Sequence, residues 1–141
     1  MKIYLASPFF NEKENAWVEN TESILQDRGF DVYSPRNHEV RNTNKVGTIG
    51  WAYDTFYDDV KAIDECDCVV MLYHGNYSDS GTAWECGYAY ATNKPVVCIQ
   101  LGDVSNLMVH CSAVANLPTL ADLILYDFEW MPVVIYEGAM T

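Results

Sequence analysis

One stretch of the chain concentrates side chains suited to chemistry: Asp79-Ser-Gly-Thr-Ala-Trp-Glu85-Cys-Gly-Tyr-Ala-Tyr-Ala91. It follows the most apolar run, Cys68–Tyr73, so Asp79 or Ser80 is expected to cap a helix and Glu85 to fall within its first two turns. The partial positive charge at a helix start favours a carboxylate in its charged form. An ionised carboxylate at a pocket edge is what nucleophilic attack on a sugar carbon requires. Gly81, Ala83 and Gly87 leave room for close approach. Taken alone, an acidic residue in an early helical turn is more often a stabilising detail than a nucleophile.

A second acidic group is Asp58-Asp59, on the segment leading into Cys68–Tyr73. If one of them shares a pocket with Asp79, mutual repulsion lets one carboxyl keep its proton near neutral pH. A neutral acid is useful where a departing base must not leave as a bare anion. Tyr4, in the first strand, has a hydroxyl able to orient the Glu85 carboxylate. Phe9, Phe10 and Trp51 are candidates for an apolar slot around a flat ring. Each of these residues is, by itself, more often ordinary packing or a solvated face.

The elements that must position them alternate. Lys2–Ala6 reads as a first strand, Asn11 as the cap of a helix to about Arg28 stopped by Gly29, and Phe30–Tyr33 as a second strand. Arg36–Gly50 has no period and reads as a long loop, of the kind that is often functional. Trp51–Glu65 has helical spacing, with Tyr53, Phe56, Tyr57, Val60 and Ile63 as candidate core residues. Cys68–Tyr73 and Pro95–Leu101 read as buried strands, with a helix over Gly81–Asn93 between them. Asn106–Asn116 is ambiguous; Thr119-Leu-Ala-Asp122 resembles a capping box for a helix to about Tyr126, and Val133–Tyr136 is an edge strand or extended tail. Such alternation implies right-handed parallel crossovers. The expected fold is α/β: a doubly wound, mainly parallel five-stranded sheet with helices on both faces, flavodoxin-like, in one domain over residues 1–141. Ligands in such folds bind beyond the carboxyl ends of the strands, which points to Ser7–Asn11, Ser34–Gly50 and His74–Glu85.

Composition narrows the partners. The net charge is −12, from 20 acidic and 8 basic residues, and the basic residues are scattered. No basic stripe exists to neutralise a phosphate backbone or an anionic bilayer, which argues against nucleic acid and membrane. No apolar run approaches the ~20 residues of a membrane span, and the amino terminus reads as a strand, so a cytoplasmic location is expected. The five cysteines are odd in number and the three histidines lie apart, so neither a disulfide framework, a metal site nor a cofactor is expected.

Tyr4, Asp59, the pattern Asp79-x-Gly81-x-x-x-Glu85-x-Gly87-Tyr88-Ala89, Asn106-Leu-Met108 and the terminal Tyr136-Glu-Gly-Ala139 together resemble the nucleoside 2-deoxyribosyltransferase family, in family order and over nearly the whole chain. The resemblance implies transfer of 2-deoxyribose between purine or pyrimidine bases by a retaining double displacement. Glu85 would be the nucleophile, Tyr4 its orienter, and Asp59 and Asp79 the contacts to base and deoxyribose that assist proton transfer. Phe10 and Gly81 would line the substrate site. The resemblance also implies that Asn106, Met108 and the carboxyl-terminal end enter a neighbouring subunit's site, in a homo-oligomer of hexameric type. The sugar 5′-hydroxyl contact then falls to Thr141, where the resemblance leads one to expect an aromatic residue. Pro35–Glu39 occupies the base-reading place, and the broad-specificity class is the nearer likeness.

The implied partners are deoxynucleosides and free nucleobases. The nearest alternative is a deoxynucleoside 5′-monophosphate N-glycosidase, which gives the same intermediate to water. Its phosphate needs a glycine- or serine-rich turn, whereas Ala6–Phe10 is apolar and Ser80-Gly81-Thr82 sits beside two carboxylates. A non-catalytic nucleotide sensor on the same fold is a third reading.

Overall fold

The computed structural model describes residues 1–38, 44–75 and 79–141. Glu39 of the base-reading segment, the middle of the Arg36–Gly50 loop and part of the His74–Gly81 loop lie outside the described residues. The alternation of apolar runs and helical spacing becomes β1 (Lys2–Ala6), α1 (Glu12–Asp27), β2 (Asp31–Tyr33), a 3-10 turn (Pro35–Asn37), α2 (Ile49–Glu65) and β3 (Cys68–Tyr73). It continues with α3 (Ser80–Ala91), β4 (Val96–Gln100), α4 (Leu107–Ser112), β5 (Ala115–Leu117) and a second 3-10 turn (Leu120–Ile124).

The strands pair in the order β2-β1-β3-β4-β5, and all four pairings are parallel. This is the flavodoxin-like order, whose topological switch lies between β1 and β3. The central strand β3 is buried along its whole length, as expected of a strand covered on both faces. Side chains alternate across the sheet with period two. Ile3, Leu5, Val70 and Leu72 therefore pack with Val18 and Leu25 of α1 and with Leu123, Tyr126 and Phe128. Tyr4, Ala6, Val69 and Met71 face the other way, onto Ala62 and Ile63 of α2 and Cys86 and Ala89 of α3. Tyr4 thus points toward the helices that carry Asp59 and Glu85.

Local chemistry sets the boundaries. Asn11 caps α1 by accepting from the Glu14 amide, and Gly29 leaves it at φ +85°, a left-handed conformation that costs a residue with a Cβ. Thr48 caps α2, Asp79 caps α3 and Asn106 caps α4. The ambiguous Asn106–Asn116 stretch divides into α4 and the short strand β5.

Two expectations need correction. Tyr53, Phe56 and Tyr57 are exposed rather than core, because the single stripe of α2 that reaches the sheet is filled by Ala62 and Ile63. Thr119 does form a capping box with Asp122, but the segment is a 3-10 turn and not a helix to Tyr126. Of the two forms expected for Val133–Tyr136, the tail takes the extended one: it makes one isolated bridge from Val134 to Ala115 and another from Met140 to Ser105. Four of the five cysteines are buried, Cys111 is exposed, and all are free thiols. No described helix is long and apolar enough to cross a membrane.

Candidate active site

The three segments singled out by the topology rule converge on one cavity of about 620 Å³ beyond the carboxyl ends of β1 and β3. Ser7, Phe9 and Phe10 come from the loop after β1, and Pro35, Arg36 and His38 from the loop after β2. Trp51, Thr55 and Asp59 come from α2, and Asp79, Gly81 and Glu85 from the start of α3. The Phe9 and Phe10 rings stack 5.7 Å apart, and with Trp51 they supply the apolar wall. A smaller cavity of about 290 Å³, walled by Phe56, Val60 and Trp84, opens onto the same Asp59, Gly81 and Glu85.

The carboxyl groups are held by different means. Asp79 stands at the helix start, where its Oδ2 accepts from the Thr82 amide at 2.8 Å and from the Thr82 hydroxyl at 2.7 Å. A Cβ added at Gly81 would come within 3.2 Å of that same Oδ2, so glycine leaves the capping carboxylate its room. Glu85 lies one turn further on. Its Oε1 accepts from the Tyr4 hydroxyl at 2.7 Å. Asp59 Oδ1 accepts from the Tyr33 hydroxyl at 3.4 Å.

Burial overrides the helix start for Glu85. Desolvation raises its carboxyl to about 8; the Tyr4 hydrogen bond opposes this, while the charges of Asp59 and Asp79 add to it. The expectation of a carboxylate kept charged by the helix start is therefore corrected: that effect fades beyond the first turn, and Glu85 sits in the second. Asp59 is raised to about 6, again chiefly by burial and further by Asp58, against the opposing Tyr33 hydrogen bond and His38. Burial also pushes the Tyr4 hydroxyl far above the usual range, reinforced by Glu85 and Asp59, so it remains a hydrogen donor.

The predicted residues separate into two groups. Tyr4, Asp59, Asp79, Gly81, Glu85 and Phe10 meet in or against the cavity. Asn106 and Met108 instead border a groove of about 680 Å³ between α3 and α4, which reaches Asp79 from the opposite side. Gly87 lines neither Glu85 cavity, and its surroundings would admit a Cβ. Thr141 is tied to the start of α4: its amide donates to Ser105 O at 2.9 Å, and its carbonyl accepts from the Leu107 amide at 3.0 Å. Two residues carry more of the site than their sequence signal suggested. Tyr33 and His38 stack 3.8 Å apart beside Asp59. The signal for Tyr33 was its place opposite Tyr4 in two parallel strands, which a single sequence does not register.

The family model for nucleoside 2-deoxyribosyltransferases matches residues 3–117, including every carboxylate of the cavity. The chain belongs to that family. The nucleoside deoxyribosyltransferase of Limosilactobacillus fermentum is 30% identical over 105 residues, which cover 68% of this chain. The chain spans 62% of that relative's length. Among solved structures, the 2-deoxyribosyltransferase of Bacillus psychrosaccharolyticus superposes with a TM-score of 0.90 at 36% identity, covering 96% of this chain and 99% of that one. The CMP N-glycosidase of Clostridium botulinum shares the fold, with a TM-score of 0.61 at 21% identity over 89% of this chain and all of that one. Within the matched residues, Asp79, Gly81 and Glu85 at the start of α3 meet Asp59 of α2 around one cavity.

Proposed function

We propose that the protein transfers 2-deoxyribose between nucleobases by a retaining double displacement, with Glu85 as the nucleophile. The observation that carries this reading is the half-buried Glu85 carboxyl, held by Tyr4 at 2.7 Å and facing a cavity that also contains Asp59 and Asp79. With Oε1 engaged by Tyr4, Oε2 is the attacking oxygen. It bonds to the anomeric carbon as the carbon–nitrogen bond breaks. Positive charge developing on the sugar stabilises the ionised form that burial disfavours, so the site favours the transition state over the resting state. A second base then attacks the anomeric carbon from the face the first base left, opposite Glu85, and the departing glutamate is restored as the carboxylate. The logic is that of retaining glycosidases with a base in place of water.

Asp59 is the better candidate for the proton. It is raised to about 6, whereas Asp79 spends Oδ2 on the two Thr82 hydrogen bonds. Phe9, Phe10 and Trp51 enclose the flat base, and Asp79 contacts the sugar.

Electrostatics favour an unphosphorylated nucleoside. Among the described residues, the cationic group bordering the cavity is Arg36, and its guanidinium is bound to Glu22 and Glu19. Among the described residues lining the cavity, a phosphate would face three carboxyl groups with no free guanidinium or ammonium to meet it.

Asn106, Met108 and Thr141 cluster at the start of α4, away from the Glu85 cavity, with Met108 73% exposed. This placement supports their service to a neighbouring subunit's site, in a homo-oligomer with active sites shared between copies.

The reaction class and nucleophile are tested together by mass spectrometry of protein mixed with a deoxynucleoside. A deoxyribosyl adduct on the peptide bearing Glu85, released as a new nucleoside by a foreign base, is expected. Free sugar as the sole product would make the protein a hydrolase, and an adduct elsewhere would displace Glu85.

A further inference from the structure

Tyr4 and Tyr33 are register partners on the parallel strands β1 and β2, so they leave the sheet on the same face. Their rings stack, 5.5 Å apart and 13° from parallel. Each hydroxyl then reaches a carboxyl on a different helix: Tyr4 takes Glu85 on α3, and Tyr33 takes Asp59 on α2. The far face of Tyr33 is braced by His38, at 3.8 Å, whose Nδ1 is within 3.0 Å of Ser34 O. The ring is clamped on both sides. Tyr33 itself does not line the cavity, whereas Asp59 does.

We propose that Tyr33 is a positioning residue for the transfer reaction: its hydroxyl occupies Asp59 Oδ1, so that Oδ2 carries the proton given to the departing base. The inference rests on the reading of Asp59 as the proton donor. A carboxylic acid on a helix turns about two side-chain torsions and can place its proton on either oxygen. A hydrogen donor held at Oδ1 favours Oδ2 for the proton, because protonating Oδ1 makes the Tyr33 hydroxyl turn its hydrogen away and give up its bond to the carboxyl oxygen. In the first half-reaction the Glu85 oxygen bonds to the anomeric carbon, the bond from that carbon to the base nitrogen breaks, and its electron pair goes to the base. The Asp59 proton then neutralises the base. In the second half-reaction the accepting base bonds through nitrogen to the anomeric carbon as the bond from that carbon to Glu85 breaks, the electron pair returns to the Glu85 carboxylate, and the base gives its proton to Asp59. No oxidant or further reactant is needed. Tyr33 touches none of the reacting atoms and keeps its own proton, being pushed up by burial, by Asp59 and by Asp58.

A leaving group that needs no proton separates this role from a structural one. Single-turnover formation of the Glu85 adduct is measured with 2′-deoxyadenosine and with 7-methyl-2′-deoxyguanosine, whose cationic base departs neutral. Tyr33→Phe keeps the ring and its stacking. It is expected to slow the first substrate about 10- to 100-fold, below the ~10² to 10⁴ of losing a general acid outright. The methylated substrate should change less than about threefold, the size of an ordinary packing perturbation. Equal slowing of both substrates, or of neither, overturns the proposal. Asp59→Asn runs beside it. If that variant also slows both substrates equally, the reading of Asp59 as donor is what has failed. If Asp59→Asn discriminates and Tyr33→Phe does not, Tyr33 alone is dismissed. Should Tyr33→Phe fail to fold, 3-fluorotyrosine in place of Tyr33, a stronger hydrogen donor of nearly the same shape, must shift the ratio of the two rates. An unchanged ratio then overturns the proposal.

Discussion

The Tyr4 hydroxyl donates to Glu85 Oε1 across 2.7 Å, joining β1 to α3 between residues 81 apart in sequence. The tyrosine is fully buried and the glutamate is half-buried, so the bond forms where little water competes for either group. It is the one hydrogen bond seen for the Glu85 carboxyl among the described residues, and it opposes the desolvation that raises Glu85 to about 8.

Tyr4→Phe is accordingly expected to slow transfer about 10- to 100-fold, the cost of one charge-assisted hydrogen bond of ~1.5–3 kcal/mol. Glu85 should then ionise at still higher pH, moving the alkaline flank of the rate profile upward. Single-turnover rates measured across pH check this. An unmoved flank would mean the hydroxyl does not touch the ionising group.

Glu85 also ties stability to pH. A carboxyl at about 8 in the folded chain, against an ordinary value of 4.5, holds a proton that the unfolded chain has released. Folding stability therefore falls as pH rises from about 4.5 through about 8. Glu85→Gln lacks this loss. Its melting temperature should gain on the wild type by at least about 3 °C between the ends of that window, at roughly 2–8 °C per kcal/mol for chains of this size. Parallel melting curves across the window would refute the raised carboxyl.

The rate of transfer should follow a bell between about 6 and about 8, the values of Asp59 and Glu85. Activity needs one proton on the pair, and the two flanks belong to the pair rather than to either residue. With Asp59→Asn only Glu85 must ionise, so the alkaline flank disappears. The remaining acid flank then belongs to Glu85 alone and rises from about 6 to a value below about 8, because the Asp59 charge no longer raises Glu85. A bell retained in Asp59→Asn would assign the alkaline flank elsewhere.

The wall carrying His38 depends on a buried ion pair. Arg36 gives Nε and an η nitrogen to Glu22, at 3.0 and 2.6 Å, and Asn37 adds a third hydrogen bond at 3.0 Å. Despite burial, hydrogen bonds from Arg36 and Ser34 together with the Arg36 charge hold the Glu22 carboxyl below its ordinary range. Arg36→Ala strands Glu22 and should cost ~3–5 kcal/mol near neutral pH. A depressed carboxyl contributes above its ordinary value and loses that contribution as pH falls. The deficit of Arg36→Ala should therefore shrink below about 4.5 in denaturant titrations.

Sharing of the site is read by complementation. Asn106→Ala and Glu85→Ala subunits, each weak alone, should regain activity on mixing, since some sites then combine an intact Glu85 with an intact neighbouring Asn106. With random mixing in equal parts, roughly a quarter of sites pair the two intact residues, which sets the scale of the recovery. No recovery at any ratio would place Asn106 in its own subunit's site or outside the reaction.

The chain's order of elements was legible because it is written locally. Period-two and helical spacing, Asn11 and Asp79 as caps and Gly29 as a stop act within a few residues. The same local pattern placed Glu85 just inside α3 and Tyr4 inside β1. Family likeness added Asp59 and Asp79, whose significance no spacing within the chain reveals.

What only the tertiary structure decided involves distances between segments remote in sequence. Whether an α2 aromatic is buried depends on how much of the helix meets the sheet, so Tyr53, Phe56 and Tyr57 stayed outside. The charge preference of Glu85 reversed because desolvation is set by every element packed around it, while the helix start acts over one turn. Tyr33 became part of the site through its register opposite Tyr4, a pairing made by hydrogen bonds between two strands with α1 between them. Local preference names the elements; burial and proximity, which sum over the whole fold, decide what their side chains can do.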